Sequence, residues 1–178
     1  LGTYTIPNKK NWLKIFVNHH SEKKLIGSSG SWASLASQFL NFEYSQYTIF
    51  QQIRWGLIHF LKVKLFPNPH IRTTGFFINS DDLLLVKVDK QKLVKKIETN
   101  YFESGRNSLS SQLLKKGFKL IIVNSDNKSF EVNEWNKSKT FCLDKQEKLI
   151  FLDNKTNEYL KASNKIKKKM TKSHWGNI

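Results

Sequence analysis

The sequence predicts an α+β fold in which short antiparallel strands alternate with helices packed on one face of each sheet. Short alternating or continuous apolar runs bounded by Asn, Asp, Gly and Ser recur along the chain, as strands do. Two longer stretches, 44–65 and 148–178, shift to a helical spacing of three and four residues. Hydrophobic residues form 39% of the 178 positions, enough for a core and too many for a disordered chain.

Taken in order, residues 1–36 read as antiparallel strands. Leu13, Ile15 and Val17 alternate with Lys14, Phe16 and Asn18, and Lys24, Leu25 and Ile26 return after the polar turn His19-His20-Ser21. Gly27-Ser28-Ser29-Gly30 reads as a tight turn into a strand over 31–35; a phosphate cradle is the weaker alternative. Ile49, Ile53, Gly56, Leu57, Phe60 and Leu61 then line one face of a helix, with Gly56 placed for close approach to a sheet. Pro67-Asn68-Pro69 interrupts regular structure and sets the boundary between two halves, 1–66 and 67–178.

The second half predicts strands over 72–78 and 83–88 around a turn at 79–82, then a helix over 90–102 carrying Leu93, Val94, Ile97 and Tyr101. A loop over 105–111 precedes strands at 118–123, 129–132 and 140–143. A buried strand over 149–152 leads through a cap at Asp153 and Asn154 into a last helix. Read as one continuous helix at 100° per residue, Lys161, Lys165, Lys168 and Lys172 share one face, and Tyr159, Ser163, Ile166 and Met170 share the opposite one. That arrangement docks an apolar stripe on a scaffold and presents lysine to a polyanion.

Charge gives the same direction. Thirty Lys and Arg against fourteen Asp and Glu leave a net charge of +16, which favours nucleic acid or, less often, an acidic membrane surface. No apolar run approaches the roughly 20 residues of a membrane span. All but three of the basic residues, Arg54, Arg72 and Arg106, are lysine, and Asn, Ile and Phe are abundant. Arginine is the better phosphate fork, so this bias points to an A/T-rich genome, such as many organelle genomes have. The single Cys142 reads as a packing residue.

No catalytic, cofactor-binding or metal constellation is predicted. The one adjacent acidic pair, Asp81-Asp82, falls in a polar turn, and no nucleophile-elbow sequence is present. Gly2-Thr3-Tyr4 is only faintly similar to the Gly-Ile-Tyr half of a homing-endonuclease signature, and Leu25-Ile26-Gly27 lacks the tyrosine of the other half. Of the five tryptophans, Trp12, Trp32, Trp55 and Trp135 are expected to pack, whereas Trp175 in the basic tail is placed to stack on bases.

The order of segments at the two ends resembles the universal L-six family, the sixth protein of the large ribosomal subunit. The residues that carry the resemblance are Ile6-Pro7, the run 13–17, Leu25-Ile26, Gly27-Ser28-Ser29-Gly30, and the helix 47–61 with Gly56. At the other end they are Asn154-Lys155, Ala162-Ser163, Ile166 and His174-Trp175-Gly176. Ser28 stands where the family has proline, and 90–111 has no family counterpart, which marks that segment as an added, outward-facing elaboration. The resemblance implies two stacked α+β domains, the second contacting rRNA through its terminal helix and tail. The expected function is that of a structural, non-enzymatic constituent of a mitochondrial large ribosomal subunit, located in the matrix. Its expected partners are large-subunit rRNA and neighbouring ribosomal proteins, with no small-molecule substrate. RNA contacts are expected from Lys161, Lys165, Lys167, Lys168, Lys169, Lys172, His174 and Trp175. The alternatives are a different organellar ribosomal protein, or an organelle-encoded DNA-binding protein or nuclease.

Overall fold

Two apolar runs, Leu25-Ile26 and Leu120-Ile121-Ile122-Val123, are buried on both faces, and they form the centre of the protein. The structure is a computed structural model that describes residues 4–36, 48–88 and 96–177. In chain order its elements are β1 (Ile6–Pro7), α1 (Trp12–His19), β2 (Lys24–Gly27), β3 (Gly30–Ser31) and α2 (Ile49–His59), which runs into a 3-10 turn. Next come β4 (His70–Ile71), β5 (Phe76–Phe77), α3 (Ser80–Leu84), α4 (Lys96–Ser104) and α5 (Leu109–Lys115). The chain closes with β6 (Lys119–Val123), β7 (Ser129–Glu131), a 3-10 turn, β8 (Phe151–Leu152), α6 (Asn154–Lys161) and α7 (Asn164–Trp175).

The α+β class holds, with small mixed and antiparallel sheets and helices packed on them. The principal sheet has the order β5-β2-β6-β7. β2 and β6 are parallel, with Leu25 opposite Leu120 and Ile26 opposite Ile121, while β5 and β7 pair antiparallel on the outside. Side chains alternate across the sheet. Leu25, Leu120 and Ile122 join Leu109, Leu113, Trp135, Phe141, Tyr159 and Trp175 in the main core. Ile26, Ile121 and Val123 turn the other way, onto Ile15 and Phe16 of α1 and onto Ile150 and Phe151.

This pairing corrects the predicted division at 66/67. β2 from the first stretch lies between β5 and β6 from the second, and β1 pairs with β8, so the Pro67-Asn68-Pro69 break does not separate two sheets. The physical reason is burial on both faces: a central parallel strand reads as a continuous apolar run and carries no alternation to reveal its partner.

Several elements differ from expectation. Residues 13–17 are helical, because Trp12, Ile15 and Phe16 at helical spacing form the inward face while Leu13 and Val17 point to solvent. Asn79 is not a turn residue but the cap of α3, its Oδ1 accepting from Asp81 N, so 83–88 does not form the predicted strand. The predicted strand at 140–143 is a series of turns in which Lys139, Cys142, Asp144 and Gln146 all have positive φ. The segment over 96–111 is integral instead of added: Tyr101 and Ser104 are buried, and Leu109 of α5 sits in the main core beneath a Ser108 cap. Ile97 packs beside Tyr101, Leu35 and Val63, whereas Leu93 and Val94 lie outside the described residues, as do 44–47 and Gly2-Thr3.

The Gly27-Ser28-Ser29-Gly30 segment is indeed a connection, and its backbone is tied to the 71–75 stretch. Ser28 N donates to Gly75 O at 2.9 Å, Ser29 O accepts from Arg72 N at 3.1 Å, and both serines are buried. A Cβ on Gly30 would lie 2.7 Å from the Trp135 ring, so the glycine lets β3 approach the core. A phosphate could not reach this segment. Gly56 behaves differently: among the described residues nothing lies within 4 Å of where its Cβ would be, so it makes no close contact with a described sheet.

Candidate nucleic-acid interface

The C-terminal lysines sit on two helices, not one. Asp153 starts α6 with a capping box, its side chain accepting from Thr156 N while Thr156 Oγ1 accepts from Asp153 N. α6 stops at Lys161. Ala162 and Ser163 are extended, with ψ of 152° and 159°, and α7 begins at Asn164. Ser163 followed by Asn is N-cap chemistry, a signal present in the sequence but outvoted by the lysine spacing. Lys161 is therefore set by α6, and only Lys165, Lys168 and Lys172 share one stripe of α7, within about 60° of arc.

All four of these lysines are exposed, and none is in an ion pair with a carboxylate among the described residues. Lys167 and Lys169 are half-buried, and the Lys167 ammonium lies 5.9 Å from the Tyr159 ring centre. The apolar face is only partly as predicted. Tyr159 is buried and Met170 packs on the main core, but Ile166 is 49% exposed, so it is not a core anchor.

The tail residues are corrected more strongly. Trp175 is 1% exposed, donates from Nε1 to Phe141 O at 2.8 Å, and meets Trp32 edge to face. It cannot stack on a base. His174 is likewise turned inward, with its ring against Phe141, Nδ1 2.9 Å from Ser31 Oγ, and its carbonyl accepting from Trp32 N. The terminal turn of α7 is thus a clamp onto the core, and the lysines ride on its outer side. In the sequence, the basic surroundings of Trp175 hid the apolar partners that lie distant along the chain.

Beside the clamp lies a polar cleft of about 340 Å³ that sequence reading missed, lined by Ser31, His70, Arg72, Glu103, Ser104 and His174 among others. Arg72 organises it. Its Nη2 pairs with Asp153 Oδ2 at 2.7 Å, and its guanidinium carbon lies 3.6 Å from the centre of the Phe141 ring. Thr74 also donates to Asp153. Burial pushes the Asp153 carboxyl up, but Arg72 and the hydrogen bonds outweigh it and hold the pKa below its ordinary value. Burial, reinforced by the charge of Arg72, depresses His174 to about 3, and burial also lowers His70. An imidazole so depressed is a weak base, so the Ser31–His174 contact joins two parts of the fold instead of activating a nucleophile. Burial pushes the Cys142 thiol up to about 12, which keeps it protonated and unreactive. Among the described residues, no three His, Cys, Asp or Glu gather as a metal site would require.

The cleft predicts acid lability. In the unfolded chain these histidines take up protons near 6.5, whereas folded His174 does so only near 3. The unfolded state then binds more protons, and stability falls as the pH drops below about 6.5. Asp153, with its folded pKa depressed, adds a loss at the lower end of the same range. The urea midpoint is expected to fall steadily between about pH 7 and pH 4.5; a flat midpoint would contradict the buried neutral histidines.

Comparison with family models, with curated proteins and with solved structures yields no match to this chain.

Proposed function

We propose that this chain is a structural RNA-binding protein, and specifically a constituent of a mitochondrial large ribosomal subunit. One observation carries the RNA-binding part: Lys161, Lys165, Lys168 and Lys172 are exposed and have no carboxylate partner among the described residues, on a chain of net charge +16. Phosphates take up such lysines and release counterions, so affinity needs no catalytic group. The ribosomal part is supported by the ordered resemblance at the two chain ends and by the lysine-for-arginine bias. The β2–β6 pair joins in one sheet the two halves that the resemblance implies are separate stacked domains. The charge argument is therefore the firmer support.

Replacing the four lysines by glutamine is expected to weaken RNA binding across sequences and to lower the salt slope by up to roughly four phosphate contacts' worth. The fold should be unchanged by circular dichroism, since all four side chains are exposed. An unchanged slope would leave the stripe as solvated surface. Migration of the native protein away from the large subunit in a sucrose gradient would remove the ribosomal reading while leaving RNA binding intact.

A further inference from the structure

The helix α2 presents its apolar face outward. Ile49, Phe50, Ile53 and Leu57 fall within about 100° of helical arc, and they are 64%, 76%, 57% and 80% exposed. Phe60, Leu61 and Leu65 continue the exposed surface beyond the helix. On the side turned to the protein, His59 hydrogen-bonds with the Tyr101 hydroxyl, and Lys62, just beyond the helix, pairs with Glu98. This reverses what a helix serving the core would do. A Thr48–Gln51 capping box fixes the helix start, so the exposed face belongs to a defined element.

Charge identifies what fits that face. No aspartate or glutamate occurs between Glu43 and Asp81, while the exposed Arg54 and, further on, Lys64 do; Lys62 is paired with Glu98, and Arg72 is buried against Asp153. Lys64 also lies near Lys115 and Arg106, whose repulsion joins burial in lowering its pKa. We infer that α2 is an interfacial anchor that lies on an anionic lipid surface, its apolar face in the acyl boundary and its cations at the headgroups. RNA would satisfy the cations but offers the apolar face no partner. A protein groove would cover the apolar face but gives no reason for the excess of cations, Arg54 together with the Lys64, Arg106 and Lys115 group, beside the one pair Lys62–Glu98. No helix among the described residues is long and apolar enough to cross a membrane, so α2 would lie in the interface plane.

The test is flotation of the full chain with vesicles of phosphatidylcholine alone and with vesicles containing about one-third phosphatidylglycerol. Binding to the anionic vesicles is expected, together with at least a tenfold loss in the Ile53→Gln/Leu57→Gln variant. Both side chains are exposed, so circular dichroism of that variant should match the parent. Arg54→Gln should weaken the binding further at low salt than at high salt. The lysine-to-glutamine variant of α6 and α7 should float like the parent, which separates this surface from the RNA-binding one. Equal binding to neutral vesicles, no binding by the parent chain, or undiminished binding by the double glutamine variant would each overturn the inference. So would a concentration-dependent dimer that the double variant abolishes, because the occupant would then be a second copy of the chain.

Discussion

Arg72→Met is expected to destabilise the protein by about 3–5 kcal/mol, a large part of the stability of an ordinary domain. The variant leaves the Asp153 carboxylate in a buried setting with only hydroxyl and backbone donors. It also removes the guanidinium from the face of Phe141, where it lies 3.6 Å from the ring centre. Adding Asp153→Asn should restore part of the loss, because the amide carries no uncompensated charge and its oxygen still caps α6. Urea unfolding of the parent, both single variants and the double variant measures this coupling. An Arg72→Met cost below about 1 kcal/mol would mean the pair behaves as an exposed ion pair, contrary to side-chain exposures of 11% and 15%.

Trp175→Ala should be comparably severe, at about 3–5 kcal/mol, because it empties a large volume in the main core. It also leaves Phe141 O without its indole donor and Trp32 without its edge-to-face neighbour. Trp175→Phe should cost less, since it keeps most of the volume and loses mainly the hydrogen bond. RNA affinity per folded molecule should be the same in Trp175→Phe as in the parent. A selective loss of RNA affinity with stability intact would return Trp175 to the stacking role that its basic sequence neighbourhood suggested.

These residues show where the sequence was legible. The apolar pair Leu25-Ile26 and the run Leu120–Val123 marked β2 and β6 correctly as strands, because a central strand must be apolar on both faces. The cap at Asp153 and the helical period after Thr48 were also readable, since capping chemistry and amphipathic spacing are local. What failed was everything set by distant partners. Whether Trp175 faces solvent depends on Phe141 and Trp32, and whether the apolar side of α2 meets a core depends on which face the body of the protein takes up. The exposed lysines were legible because an unpaired charge seeks the surface in almost any fold. The cleft around Arg72 was not, because its lining comes from β3, β4, α4, α6 and α7, which no local pattern brings together.

The pairing of β1 with β8 and of β2 with β6 also governs when this protein can fold. Ile6 waits for Leu152 and Leu25 waits for Leu120, so β1 stays unpaired and β2 has only the short β5 beside it until the later strands have been made. Contacts of such long sequence separation are slow to form. During synthesis, the α1–β2 region therefore emerges with Phe16, Leu25 and Ile26 not yet covered by β6 and Phe151, and transiently exposed apolar surface of this kind is prone to association.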